Sequence, residues 1–197
     1  MLKLIRRLMR NERGVAATEL ALMGPPLMLL FVGLIEITFK LWSTQKAEKV
    51  AVTISDVVAQ AQTVTTEGLG YIVNATGDIM APFEFEGNGE VIISSVYRAQ
   101  GQNVAKVNWQ CTKTWSEDEE EAFSEDSKLG QPGDDANLPE ELELNEKENV
   151  IVAEVFYTYE PMLPGLLFDG DEVVYRRAFF KPRLGALTNS PGESCTL

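Results

Sequence analysis

The most constraining feature of this 197-residue sequence is an apolar stretch from Val15 to Ile35, in which Glu19 is the only charged residue. An α-helix rises about 1.5 Å per residue, so these 21 residues would form a helix about 31 Å long. The hydrocarbon core of a bilayer is about 30 Å thick. The stretch therefore predicts a transmembrane helix in contact with membrane lipid, which we assign to residues 15–40.

A basic segment precedes this helix. Residues 1–14 contain five basic residues and one acidic residue, a net charge of +4. Because positive charge stays on the cytoplasmic side, residues 1–14 are expected to form a cytoplasmic leader and residues 63–197 a head on the other side. The sequence after the apolar stretch, EITFKLWSTQKAEKV, offers no convincing small-residue site for signal peptidase, so we expect the helix to stay attached.

The helical pattern continues beyond the apolar stretch. Residues 41–62 combine a polar face with apolar residues at three- and four-residue spacing, which predicts an amphipathic extension of the same helix. The apolar stripe consists of Ala47, Val50, Ala51, Ile54, Val57, Val58 and Ala61. One helix from Val15 to about Ala61 would therefore lie in lipid along its first half and pack on the head along its second.

Two prolines, Pro25 and Pro26, lie in the middle of the apolar stretch. Each lacks the N–H that a helix uses and crowds the carbonyl four residues earlier, which predicts a helix kink. Membrane helices tolerate such kinks. The alternative interpretation is a weakened segment that bends during assembly.

The head shows the patterns of strands. A helix is expected over residues 67–82, followed by a hairpin around AQGQ and two further strands rich in β-branched and aromatic residues. The predicted strands are Val91–Arg98, Asn103–Cys111, Val150–Tyr159 and Val173–Phe180. Alternation would place Ala105, Val107, Trp109 and Cys111 on one face. The predicted fold is α+β, with the long N-terminal helix packed on a small antiparallel sheet of about four strands.

Cys111 and Cys195 are the two cysteines of the chain. A head outside the cytoplasm permits a disulfide bond between them, which would hold the C-terminal PGESCTL segment against the sheet edge. The alternative is two free thiols. Two cysteines without histidine do not make a zinc site.

An acidic insertion covers residues 116–148, which contain fourteen acidic residues and two lysines, a net charge of −12. Its composition predicts a solvated, mobile connection between strands. Calcium binding is the functional alternative, because oxygen ligands are abundant, but the ligand spacing of a calcium-binding loop is absent.

Composition excludes several functions. The chain has a net charge of −13 and no histidine, which argues against nucleic acid as a partner and removes the commonest general base and metal ligand. No nucleophile or phosphate-loop motif is present, so we predict that the protein is not an enzyme and has no cofactor or metal. A membrane-anchored hydrolase remains an alternative hypothesis to a protein without catalytic activity.

Glu19 is unusual, because a carboxylate inside an apolar helix is costly. One interpretation is a carboxylate at the membrane interface, about 6 Å beyond Val15. The other is that cleavage after Gly14 gives Val15 a free amine that pairs with Glu19 of the same or a neighbouring subunit. Such pairs set the register of packed helices.

The basic leader, Gly14 and VAATEL resemble the class III signal of type IV pilins and pseudopilins. More narrowly, RGVAATELALMGPPLMLLFVGLIEI resembles the TadE-like family of the Tad (Flp) pilus system, with Glu36 matching a second family glutamate. The VIVAEVFYTYEPMLP and RRAFFKPRLG segments are similar to later strands of that family. Leu20 stands where major Flp pilins usually have an aromatic residue, and the chain is longer than those pilins.

The resemblance implies a minor pilin or pseudopilin that takes part in Tad pilus assembly, adhesion and biofilm formation. It also implies cleavage between Gly14 and Val15 by a prepilin peptidase, with Glu19 as the processing and assembly signal. The implied location is the inner membrane with a periplasmic head, and the implied partners are other pilin subunits and the assembly platform. The alternative is an uncleaved single-pass protein with a periplasmic binding or adaptor domain.

Overall fold

The computed structural model describes residues 14–115, 124–163, 165, 168–192, 195 and 197. The helices are α1 (Val15–Ala59), α2 (Thr66–Asn74) and α3 (Thr76–Met80), and the strands are β1 (Gly89–Tyr97), β2 (Lys106–Thr114), β3 (Asn149–Tyr159) and β4 (Glu172–Phe180). The strands form one antiparallel sheet in the order β2-β1-β3-β4. The predicted α+β fold is confirmed. Residues 1–13 of the leader and residues 116–123 of the acidic insertion lie outside the described residues.

The second half of α1 packs on one face of this sheet. Five residues of the predicted apolar stripe are at most 1% exposed, whereas Val57 is 41% exposed and the helix ends at Ala59 rather than Ala61. The five are Ala47, Val50, Ala51, Ile54 and Val58. Their small and branched side chains allow the helix to lie close to β3 and β4 in the main core.

The region between α1 and the sheet contains two short helices rather than the single helix predicted over 67–82. The Oγ1 atom of Thr65 accepts the Gly68 N–H at 3.2 Å and caps α2. The helical path is divided at Ala75, and α3 ends at Met80 before Pro82. Leu69 and Met80 bury their side chains against the main core.

The register between β2 and β1 shifts at Asn108, where β2 carries one extra residue. Such a bulge reverses the alternation of side chains along the strand. Trp109 and Cys111 therefore face α1, while Ala105 and Val107 join a second apolar cluster on the opposite face. The prediction that all four lie on one face was wrong, because alternation holds only along an uninterrupted ladder.

The face of the sheet away from α1 is covered by part of the acidic insertion. Leu129 and Leu144 are 0% and 3% exposed and pack on the far face against Val96, Val150 and Val152. The expectation of a solvated insertion is therefore wrong for Leu129 and Leu144, whereas most residues of 124–148 are exposed as expected. Scattered leucines in an acidic sequence can still cover a sheet face when the strands beneath them are apolar.

Candidate functional site

The first half of α1 exposes large apolar side chains around its circumference. Between Leu20 and Leu34 these side chains are 59–74% exposed. The set comprises Leu20, Leu22, Met23, Leu27, Met28, Leu29, Leu30, Phe31 and Leu34. An apolar surface of this extent marks a site of contact with lipid or protein. The helix is long and apolar enough to cross a membrane, and the chain is compatible with a single-pass membrane protein.

Gly14 immediately precedes this helix, and its own conformation does not require glycine. Its φ angle is −96°, and a Cβ atom built on it would meet no atom within 4 Å. Val15 opens α1 with an exposed side chain, and its carbonyl accepts the Thr18 hydroxyl at 2.8 Å. The fold of the described residues therefore gives no reason for glycine at position 14.

Glu19 lies one turn further along α1 and is exposed. Its carboxylate forms no ion pair with the residues that the structure describes. The predicted pairing with a Val15 amine thus stays a prediction. The helix continues without a break through Pro25 and Pro26. The predicted kink likewise stays a prediction.

Glu36 is the first charged residue after the apolar stretch, and it is 1% exposed. Its Oε1 atom accepts the Tyr159 hydroxyl at 2.8 Å and the Met162 N–H at 3.0 Å. Both donors come from the end of β3 and the loop that follows it. A single carboxylate oxygen therefore joins the helix to the head at the point where the apolar stretch ends.

The environment of Tyr159 keeps it a hydrogen-bond donor. Burial raises the pKa of its hydroxyl, and the hydrogen bond to Glu36 and the charge of Glu36 raise it further. The hydroxyl therefore retains its proton throughout the neutral range. A buried carboxylate needs such donors, because burial without them is costly.

An aromatic cluster surrounds the same junction. The Trp42 and Phe83 ring centroids lie 5.4 Å apart at 78°, and those of Phe39 and Phe83 lie 6.3 Å apart at 86°. Lys40 pairs with Glu172 and places its ammonium 4.0 Å from the centroid of the Phe168 ring. A cavity of about 350 Å³ opens here, and its lining combines four aromatic residues with five others: Phe39, Phe83, Tyr157, Tyr159, Pro82, Glu84, Asn88, Glu160 and Met162. Edge-on aromatic contacts of this kind stabilise beyond their buried area.

A family model described as TadE-like protein matches residues 14–53. Residues 14–53 are therefore similar to TadE-like proteins. The match begins at Gly14 and contains Val15, Glu19, both prolines and Glu36, so the resemblance drawn from the sequence is confirmed for this segment. The match suggests a Tad pilus-associated protein. Proteins of the TadE-like family are pilus components and are not known as enzymes. Neither the curated proteins nor the solved structures contain a match.

The TadE-like segment ends within the buried half of α1, so the match leaves out the sheet. β3 and β4, whose sequences also resembled the family, lie beyond the matched range. Both glutamates of the family pattern lie inside it, but the structure treats them differently. Glu19 is exposed on the apolar half of the helix, whereas Glu36 is buried against the head.

A disulfide bond joins Cys111 and Cys195. The Thr112 N–H donates to the Cys195 carbonyl at 3.1 Å, and the Thr112 carbonyl accepts the Leu197 N–H at 2.9 Å. Cys195 and Leu197 therefore lie along β2, as expected; we call the described residues from Leu187 to Leu197 the C-terminal strip. Further back, the Leu187 carbonyl accepts the indole N–H of Trp109 at 2.9 Å, which secures the same strip over the core.

The far side of the sheet carries a buried carboxylate outside the TadE-like segment. Glu154 on β3 is 0% exposed and accepts the Tyr175 hydroxyl at 2.7 Å, the Lys128 N–H at 3.1 Å and the Ser127 hydroxyl. The hydrogen bonds from Ser127 and Lys128 tie the acidic insertion to the sheet. Sequence reasoning missed this anchor, because a lone glutamate in a strand gives no signal of its distant partners.

Glu90 on β1 makes a similar contact. It is 1% exposed, and its Oε2 atom accepts the Glu125 N–H at 2.7 Å. Burial raises the pKa of this carboxyl, the backbone hydrogen bond opposes that rise, and the charges of Glu125 and Asp126 add to it. Within the described part of the chain, no group of three or more acidic, histidine or cysteine side chains could hold a metal ion. Residues 117–121 of the calcium hypothesis lie outside that part.

Proposed function

We propose that the chain is a TadE-like minor pilin or pseudopilin that takes part in assembly of a Tad (Flp) pilus, and through it in adhesion and biofilm formation. The observation that carries the proposal is the coincidence of the TadE-like match with the exposed apolar half of α1, both beginning at Gly14 and Val15. The first half of α1 anchors the protein in the inner membrane, the basic leader stays in the cytoplasm, and the head lies in the periplasm.

Gly14 is proposed as the residue after which a prepilin peptidase cleaves. The structure supports this role indirectly, because the open space and ordinary backbone angles at Gly14 give the fold no need for glycine there. A glycine that the fold does not require is what recognition by a peptidase would explain. Cleavage would leave Val15 as the first residue, with a free amine one helical turn from Glu19.

The test of this proposal is the mature N-terminus of the protein extracted from membranes of cells that contain the peptidase. We expect Val15 as the first residue, and we expect Gly14→Leu to remain at full length because leucine blocks the peptidase. Gly24→Leu is the matched control, since a Cβ atom at Gly24 also meets no atom within 4 Å. It should be processed normally.

An intact Met1 in the unsubstituted protein would contradict the proposal. It would favour the alternative, an uncleaved single-pass protein whose head is a binding or adaptor domain. Processing of Gly14→Leu at the normal rate would move the cleavage site elsewhere.

Glu19 is proposed to pair with the new amine of Val15 on the same or a neighbouring subunit and so to set the register of packed helices. A desolvated pair of this kind specifies geometry more than it adds stability. Its partners would be other pilin or pseudopilin subunits and the inner-membrane assembly platform. No catalytic role is proposed for any residue.

Glu19→Ala should therefore insert into the membrane and be cleaved, but should reduce surface pili about tenfold or more, since about 1.4 kcal/mol per contact is a tenfold change in an equilibrium. Counting filaments in sheared fractions, alongside the membrane-bound protein, measures this. Glu48→Ala is the control, because Glu48 is exposed on the second half of α1. Normal pili with Glu19→Ala would rule out the assembly role.

A further inference from the structure

The loop between β3 and β4 presents apolar side chains at the membrane end of the head. Met162 is 63% exposed and Leu163 is 47% exposed. Both lie between Tyr159 and Phe168, which contact Glu36 and Lys40 of α1, so both sides of the loop are tied to α1. The tip of a loop in water normally carries polar residues. Exposed apolar side chains in this loop therefore indicate contact with an apolar surface.

The position of this loop follows from the helix. Val15 to Ile35 covers about 31 Å, the thickness of the hydrocarbon core, so Glu36 lies at its outer boundary. The Met162 N–H donates to the Glu36 carboxylate at 3.0 Å. The backbone of Met162 is therefore at the same depth as Glu36, and its side chain and that of Leu163 are at the boundary between hydrocarbon and headgroups.

The neighbouring side chains are those of a membrane interface. On α1, Leu34 and Ile37 are 59% and 43% exposed. Trp42 is 41% exposed and lies about 9 Å beyond Glu36 along the helix axis. Tryptophan is typical of the headgroup level. Exposed apolar side chains are therefore present near Glu36 along the helix and in the loop that contacts Glu36.

We propose that Met162 and Leu163 insert into the outer boundary of the same bilayer that α1 crosses, so that the head contacts lipid at a second point. This inference rests on the proposed membrane anchor. Glu160, Asp169 and Asp171 flank the loop and are exposed, so the contact is apolar insertion and not attraction to anionic headgroups. A second point of contact fixes the tilt of the head relative to the membrane.

The experiment places one environment-sensitive fluorophore on a new cysteine of the full chain, reconstituted in phosphatidylcholine vesicles. The variants are Leu163→Cys, Leu29→Cys in the middle of the apolar helix, and Val104→Cys. Val104 is the matched control, because it is 47% exposed like Leu163 but lies in the β1–β2 connection at the opposite end of the sheet. Two quenchers are compared: a lipid with a nitroxide near the top of its acyl chain, and aqueous iodide.

We expect the lipid quencher to lower the emission of the Leu163 and Leu29 labels about twofold or more, because inserted side chains lie about 5 to 10 Å below the headgroup surface. The Val104 label should respond only to iodide. Added salt should not change the result for Leu163. Met162→Cys repeats the measurement at the adjacent position in case the label disturbs the loop.

Each other outcome overturns the inference in a recognisable way. If the Leu29 label is quenched by lipid and the Leu163 label by iodide, the anchor stands and the loop does not touch the bilayer. If the Leu163 label is shielded from both quenchers, protein covers the loop. If the Leu29 label escapes the lipid quencher, the membrane anchor itself fails.

Discussion

Breaking the disulfide bond between Cys111 and Cys195 should lower the free energy of unfolding of the head by about 4 kcal/mol, the chain-entropy value for a loop of this size. The bond closes a segment of 84 residues that includes β3 and β4. Without it, the unfolded chain gains freedom that the folded head does not share. The stability of a head with a single sheet is of the same order, so the loss should be severe.

Cys195→Ser is the informative variant, because it removes the bond but leaves the buried Cys111 in place as a small apolar side chain. Unfolding of the full chain in detergent can be followed by tryptophan fluorescence, to which Trp109, 3% exposed in the main core, contributes together with Trp42 and Trp115. A reducing agent should weaken the parent protein to the same degree and leave Cys195→Ser unchanged.

Leu197→Ala is the control for the packing of the C-terminal strip, because Leu197 contacts the core while the bond stays intact. We expect it to cost about 1 to 2 kcal/mol, as for a partly buried leucine. Equal losses for Leu197→Ala and Cys195→Ser would show that the strip contributes by packing and that the covalent bond adds little.

Glu36→Ala should lower the free energy of unfolding by about 2 to 4 kcal/mol, because it leaves the Tyr159 hydroxyl and the Met162 N–H without their acceptor. Tyr159 is 3% exposed, so water cannot readily replace the lost oxygen. Tyr159→Phe should produce a loss of about 1.5 to 3 kcal/mol, the usual value for a hydrogen bond to a charged group.

Glu36→Gln is the matched control, because a glutamine carbonyl can accept both hydrogen bonds without the charge. Its cost should stay within about 1 kcal/mol, since removing the buried charge offsets weaker hydrogen bonds. The same measurement of tryptophan fluorescence during unfolding compares the three variants. If Glu36→Gln were as unstable as Glu36→Ala, the charge would be the essential property and the two donors would be secondary.

The helix and the strands could be predicted from the sequence because their signals are local. The stripe from Ala47 to Val58 repeats at helical spacing, and Val150–Tyr159 is dense in β-branched and aromatic residues. Both patterns depend only on neighbours in the chain. The family resemblance rests mainly on another local segment, RGVAATELALMGPPLMLLFVGLIEI, and Gly14 and Glu19 were recognised through it.

The contacts that organise the head could not be predicted in this way. The hydrogen bond between Glu36 and Tyr159 spans 123 positions, and no periodicity connects them. The bulge at Asn108 changes the faces of Ala105 and Val107 without altering the strand pattern around it. The acidic composition of the insertion concealed Leu129 and Leu144, whose burial depends on the apolar sheet face they meet.

The C-terminal strip has a consequence for how subunits can associate. β2 is an outer strand of the sheet, and an outer strand with free N–H and carbonyl groups invites a neighbouring chain to extend the sheet. At Thr112 both groups are already occupied by Cys195 and Leu197. A neighbour could pair with β2 at that point only by displacing a strip that is covalently attached to it. Strand addition to β2 is therefore blocked at Thr112, and β4 remains the other outer strand of the sheet.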